Sequence, residues 1–211
     1  MQVAVLGLGR FGAHLAETLY DQGHDVLAID MDEGSVNDLS DKVTDARIAD
    51  ITDVDALDAL SLGDVDVAVV ATADLEASVL ATMNLQQLNV EWIYAKARSD
   101  RHARILQLIG ARRVMRPERD GAERFAHMIQ VAAAVDFLPL TSAYGIAIFA
   151  PPATWVAQPL AHAVAEAAPR RLLALVRADE VQLNPVLDQQ LRAGDQLVFA
   201  ATDRELGAPL S

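Results

Sequence analysis

A short apolar run, Val3 to Leu6, leads straight into Gly7-Leu8-Gly9-Arg10-Phe11-Gly12, and a stretch with Leu15, Leu19 and Tyr20 at helical spacing follows. A strand, a G-x-G-x-x-G turn and a helix in that order point to a parallel β/α sheet. Gly7 permits the tight turn, Gly9 lets a backbone approach a pyrophosphate, and Gly12 lets helix and strand touch. An acid, Asp30, stands 18 residues beyond Gly12 at the end of a second strand-like run, Val26–Ile29. A helix N-terminus placed behind such a turn offers unpaired N–H groups and partial positive charge to phosphates.

The alternation continues. A helix carrying Val36 and Leu39 precedes a short strand at Arg47–Ala49, and Thr52-x-x-Asp55 reads as a capping box for a helix with Leu57 and Leu60. Val65–Ala71 reads as a central strand buried on both faces. A helix from about Leu75 to Leu88, a strand Trp92–Ala95, a helix Ala103–Ile109 stopped by Gly110 and a strand Arg113–Met115 complete six β/α units. The expected fold class is α/β, a Rossmann-type doubly wound parallel sheet. After Glu118 the pattern changes. A long helix from Gly121 to Val135, with Phe125, Met128, Ile129 and Ala132 on one stripe, leads to strands at Phe137–Leu140, Ile146–Phe149, Leu172–Val176 and Leu197–Ala200. One helix, Pro159 to Ala167, interrupts them, and Asp179 and Glu180 read as a turn. The expected domains are 1–120 for the nucleotide-binding sheet, 121–138 for a connecting helix and 139–211 for a small α+β domain.

Charge and composition narrow the function classes. With 52% apolar residues the chain can bury a full core, and with no cysteine it has neither disulfides nor thiolate chemistry. Strand-like residues directly after Met1 predict no secretory signal, and no apolar run reaches the length of a spanning helix. A net charge of −13 argues against general nucleic-acid binding. Its distribution is uneven: residues 1–95 hold 18 acids and three bases, whereas residues 96–124 hold nine bases and four acids. A basic belt in an acidic chain calls for an anion or an acidic surface nearby.

Several positions are expected at the carboxyl ends of the strands, where ligands bind in such sheets. Asp30 can accept both ribose hydroxyls and would repel a 2′-phosphate, which disfavours NADP. Arg10, between the second and third glycines, can form a bidentate fork with phosphate oxygens and shifts the expectation from NAD toward ADP or ATP. Asp50 is expected at the adenine edge or the ribose, and Thr72 and Ala73, with Asp74, beside phosphate or ribose. Phe11, Met31 and Ile51, the neighbours of these residues, complete the set. Asp74 and Thr72 also suit the role of helix caps.

No catalytic constellation accompanies them. The histidines at 14, 24, 102, 127 and 162 show no metal-ligand spacing, and there is no Tyr-x-x-x-Lys pair, G-x-S-x-G elbow or Walker loop. The chain is therefore expected not to be an enzyme. A small NAD-dependent oxidoreductase and an NADH-sensing redox module remain as alternatives.

The stretch Val5–Gly12 is also similar to the RCK (KTN) regulatory subunits of bacterial potassium transporters, the KtrA and TrkA proteins. Further resemblances follow in order: Gly23–Asp30, Ala49–Asp53, Leu60–Gly63, Ala95–Arg98, Ile109–Val114 and Arg116-Pro117-Glu118-Arg119-Asp120. The resemblance implies an RCK_N and an RCK_C domain and a homodimer that assembles into a ring, expected as an octamer. The ring would sit on the cytoplasmic face of the cell membrane, docked on a potassium-translocating subunit of the KtrB/TrkH kind, without inserting itself. ATP and ADP, in some members NADH or NAD, would switch it. By motif, Arg10 would reach the terminal phosphate, of its own or of a neighbouring subunit's nucleotide, Glu118 would help hold Mg2+ or another cation near that phosphate at the dimer interface, and Lys96 and Arg98 would line the rim of the phosphate pocket. Some relatives bind cyclic di-AMP in the second domain, where Arg177 and Asn184-Pro185 suit the part. Ala165–Pro169 departs from their pattern, and that ligand is not among those expected here.

Overall fold

The computed structural model describes residues 1–131, 133–178 and 180–210, which divide into two compact units, Met1–Glu118 and Arg119–Ser211. Ala132 and Asp179, expected in a helix and a turn, lie outside the described residues.

The first unit holds strands β1 (Gln2–Leu6), β2 (Asp25–Asp30), β3 (Asp45–Ile48), β4 (Val67–Val70), β5 (Trp92–Lys96) and β6 (Arg113–Met115). They form one sheet in the order β3-β2-β1-β4-β5-β6, with every pair parallel. The helices between them are α1 (Arg10–Asp21), α2 (Glu33–Leu39), α3 (Val54–Ala59), α4 (Leu75–Gln87) and α5 (Asp100–Leu108). Chain order reverses between β1 and β4, so a crevice opens beyond their carboxyl ends.

Strand alternation explains why the sheet is buried on both sides. Ala4, Leu6, Ala68, Val70, Ile93 and Ala95 pack with Leu57, Ala81, Leu85 and Leu106 from α3, α4 and α5. Their odd-numbered neighbours Val3, Val5 and Val69 join Val26 and Ala28 against Ala16, Val36 and Leu39 from α1 and α2. On that second face an apolar groove of about 930 Å3 stays open, lined by Phe11, Leu15 and Leu19 of α1 and by Val67, Val69, Trp92 and Tyr94.

The second unit is an antiparallel sheet in the order β10-β9-β11-β8-β7. Its strands are β7 (Ala134–Pro139), β8 (Tyr144–Phe149), β9 (Arg171–Arg177), β10 (Glu180–Leu183) and β11 (Gln196–Thr202). Phe137, Phe149, Phe199 and Trp155 are fully buried with Leu160 and Leu175. Helix α7 spans Leu160–Glu166 and α8 spans Asp203–Leu206.

Three expectations need correction. The long helix, α6, runs Pro117–Gln130 rather than from Gly121 to Val135. A proline at its first position has φ already set for a helix, so the helix starts earlier, and Ala134–Pro139 are strand, so the stretch to 138 is not all helix. Glu180 is not in a turn; it opens β10, where it pairs with Arg177 of β9. Thr52 does not cap α3, because Asp50 takes both its N–H and its hydroxyl, at 2.8 and 2.7 Å. The cap is Asp53, which accepts from the N–H groups of Asp55 and Ala56. A capping box does form at Thr202 and Glu205, a T-x-x-E signal that the sequence reading passed over.

One buried ion pair anchors the second unit. Asp195 is 2% exposed, and its two carboxylate oxygens accept from Arg177 Nε and Nη2 at 2.8 and 2.7 Å. That fork holds the Asp195 carboxyl below the ordinary aspartate range, so its stabilising contribution is present at neutral pH and lost as pH falls through its folded-state value. Arg177→Ala should cost about 3 kcal/mol in urea denaturation followed by tryptophan fluorescence, because it leaves a buried carboxylate unpaired. Wild-type stability should fall below about pH 4, a decline that Asp195→Asn should flatten.

Candidate functional site

The glycine turn is fixed by close approach. Gly7 has φ +96°, and a Cβ at Gly12 would sit 1.9 Å from the Gly7 carbonyl oxygen and 3.1 Å from Ala71 Cβ. Helix α1 is thereby pressed against the end of β4. Gly9 caps α1 with no side-chain hydrogen bond, and a Cβ there would meet nothing within 4 Å. The first N–H groups of α1 thus lack a side-chain cap.

Asp30 locks this turn from the end of β2. Its Oδ2 accepts from Leu8 N at 2.6 Å and its Oδ1 from Asp32 N at 2.9 Å. Each carboxylate oxygen has a second lone pair, so Asp30 retains capacity for ribose hydroxyls.

Two cavities meet at Gly7, Asp30 and Thr72. One, about 470 Å3, is lined by Met31, Asp50, Ile51 and Thr52, with Asp74, Glu76 and Leu80 opposite. The other, about 580 Å3, is lined by Gly9, Arg10, Phe11, Ala73, Lys96, Pro117 and Glu118. The first is acidic and the second carries the cations, the polarity that a nucleoside and its phosphates require. Asp74 is also the N-cap of α4, accepting from Ala77 N at 2.8 Å, so its expected capping role is present.

Arg98 is not brought to this crevice. It is exposed and lines neither cavity. Strand β5 ends at Lys96, so Lys96 points to the phosphate side while Arg98 lies past the strand, before α5. Four of the nine bases of the belt are paired with acids elsewhere: Arg112 with Glu91, Arg116 with Asp100, Arg119 with Glu123 and Arg124 with Asp136. Of the basic residues of the belt only Lys96 lines either of these two cavities.

Lys96 is 11% exposed and meets Glu118 Oε1 at 2.7 Å, with its ammonium 5.5 Å from the Phe11 ring centroid. This hydrogen bond, foremost, lowers the Glu118 carboxyl below its ordinary range, and Arg10 adds to the effect. Among the described residues no group of three or more histidines and acids is placed to hold a metal ion. Glu118 Oε1 accepts from Lys96, and its second carboxylate oxygen and remaining lone pairs keep capacity for a further partner.

His102 carries a contact that no sequence spacing signals. It is buried, with Nε2 2.8 Å from Ser78 Oγ of α4, while its Nδ1 faces the backbone N–H of Arg98 at 3.4 Å. Burial and then Arg98 lower its pKa, so it joins α4 to α5 as a neutral ring. Ser78 and His102 are 24 residues apart, and no local spacing signals the contact.

A doubly wound sheet with a glycine turn and an acid at its switch point is a nucleotide-binding Rossmann fold. Residues 3–117 match the TrkA-N domain family, and the chain belongs to that family. It is 38% identical to Ktr system potassium uptake protein C of Bacillus subtilis over 69% of this chain and 66% of that protein. It is 31% identical to Ktr system potassium uptake protein A of Vibrio alginolyticus over 99% of this chain and 96% of the relative. The fold is also that of the GsuK RCK domain, with a TM-score of 0.62 at 14% identity over 98% of this chain and 46% of the other. The GsuK channel bound to NAD gives 0.61 at 14% identity, over 97% and 38%. GsuK bound to ADP gives 0.51 at 15%, over 64% and 34%. This chain spans less than half the length of those GsuK chains. Among the described residues no helix is long and apolar enough to cross a membrane.

Gly12→Ala should collapse the turn, lowering the melting temperature and abolishing nucleotide binding in the same calorimetric experiment. Asp30→Ala should cost about 1–2 kcal/mol even without ligand, by releasing the Leu8 and Asp32 N–H groups. An unchanged ligand-free stability would remove the structural role given to Asp30.

Proposed function

We propose that this chain is the nucleotide-sensing regulatory subunit of a potassium uptake system, and that it performs no chemistry on its ligand. The observation that carries this reading is the polarised crevice around the uncapped start of α1, in a chain 31–38% identical to Ktr potassium uptake proteins. The adenosine lies on the acidic side, with Asp30 on the ribose, Asp50 at the adenine edge, and Met31 and Ile51 flanking the base. The phosphates lie over Gly9, Arg10 and Gly12, with Thr72 and Ala73 beside them and Lys96 at their far end. A terminal phosphate suits the concentration of cations, which favours ATP or ADP. NAD stays as a second reading because the GsuK channel bound to NAD shares the fold.

The subunit works as a homo-oligomer on the cytoplasmic face of a membrane potassium-translocating partner of the KtrB/TrkH kind, with dimers closing into a ring, proposed as an octamer. The open apolar groove on the β1-β4-β5 face supports self-association, since an exposed apolar surface of this extent is usually covered. A nucleotide that binds one arrangement of the ring better than another shifts the ring, and with it ion flux.

Thermal-shift titration with ATP, ADP, NAD, NADH and AMP should raise the melting temperature most for ATP or ADP. Arg10→Ala should weaken ATP by about tenfold and ADP by less, the loss of one charge-assisted contact. Equal losses would remove Arg10 from the terminal phosphate, and selective NADH binding would favour the redox-sensing alternative. Light scattering of the purified protein should give a mass well above that of one 22.7 kDa chain.

A further inference from the structure

We propose that Asn84 is a positioning residue for the base: by bracing the connection that carries Asp50, it makes the site select a purine with an amino group at its six-position over one with a carbonyl there. The inference rests on the nucleotide reading above and names what chooses the base within that same site.

The cavity on the acidic side has two walls from separate parts of the chain. One is the connection after β3, with Asp50, Ile51 and Thr52, and the other is α4, with Glu76 and Leu80. Glu76, Leu80 and Asn84 follow one another at intervals of four residues, so they share one stripe of α4. Asn84 carries that stripe a turn beyond the cavity wall and reaches across to the other side. Its Nδ2 donates to the Thr52 carbonyl at 2.9 Å and to the Ile51 carbonyl at 3.4 Å. The amide has a hydrogen for each. Strand β3 ends at Ile48 and α3 starts at Val54, so both carbonyls lie in the stretch between regular elements.

That stretch is also tied within itself. Asp50 Oδ1 accepts from Thr52 N and Thr52 Oγ1 at 2.8 and 2.7 Å, and Asp53 N donates to the Asp50 carbonyl at 3.1 Å. The Thr52 N–H and then its hydroxyl hold the Asp50 carboxyl below the ordinary aspartate range, so at neutral pH it is ionised and offers acceptors alone. A turn closed on itself and fastened to α4 at two carbonyls gives the carboxylate one aim. Ile51 also packs at the edge of the apolar core. Such packing is non-directional, so it holds the depth of the turn, whereas the Asn84 hydrogen bonds set its orientation.

An acceptor fixed at the base edge reads a single group. Adenine presents an N6 amino donor there and guanine an O6 acceptor. Hypoxanthine, the base of ITP, carries the same carbonyl as guanine without the guanine amino group. The adenine amino group completes a hydrogen bond with Asp50, while a carbonyl gives up water to face a carboxylate that repels it. A polar contact of this kind rejects the wrong analogue more sharply than an apolar pocket does, provided the acceptor is well aimed.

The test is titration calorimetry of the full-length protein with ATP and ITP in one buffer. Wild type should bind ATP about tenfold more tightly than ITP, the effect of one charge-assisted contact. Asn84→Leu should bring that ratio to within about twofold by weakening ATP and leaving ITP nearly unchanged. Asn84→Asp, which keeps the shape and removes both donors, should do the same. Asp50→Asn should erase the ratio alone, and its combination with Asn84→Asp should add little, because both act on one contact. A purely structural role for Asn84 would weaken ATP and ITP together, and that result overturns the proposal. So does a wild-type ratio in both Asn84 variants, or additive losses in the double variant, or equal binding of ATP and ITP by wild type, each with the nucleotide reading intact. A wild-type protein that binds neither nucleotide removes the nucleotide reading along with this one.

Discussion

The contact between Gly12 and the Gly7 carbonyl is the constraint from which the first unit is built. At 1.9 Å from the position of a Cβ, it admits only glycine, and it presses α1 against β1 and the end of β4. The helix then begins at the carboxyl edge of the sheet with no side chain capping it. Asp30 fastens the same turn from β2 through Leu8 and Asp32. A structural clamp and a ligand-facing surface are therefore the same few atoms, and a change that loosens one loosens the other.

Charge is distributed over the crevice by topology more than by sequence position. Asp50 and Asp74 follow β3 and β4 and come to one side of the switch point, while Asp30, the last residue of β2, stands where the two cavities meet. The cations Arg10 and Lys96 come to the other side, one from the start of α1 and one from the end of β5. The belt's arginines line neither cavity, and four of the eight are paired with acids on the surface, where such pairs add about 0–1 kcal/mol each.

Much of this was legible from local signals. The six β/α units, the glycine turn and its acid follow from periodicity and spacing, since each unit buries both faces of its strand and must alternate with helices. Errors cluster where two local signals compete. Thr52 looked like a cap, yet Asp50 two residues earlier takes its hydrogen bonds and Asp53 does the capping. Pro117 starts α6 earlier than Gly121 suggested. The four residues of β10 alternate polar and apolar, but so short a run is easily read as part of the turns around it, and pairing with β9 makes it a strand.

The amino-acid sequence by itself determined the fold of the first unit and the identity of the residues around Gly7–Gly12 and Asp30, because those depend on spacing along a short stretch of chain. Tertiary structure decided which distant groups share a space. It drew Lys96 onto Glu118 and Phe11, left Arg98 outside the crevice, and joined His102 to Ser78. Such meetings depend on where strands end relative to one another, a quantity set by the packing of the sheet and its helices and not by any local pattern of residues.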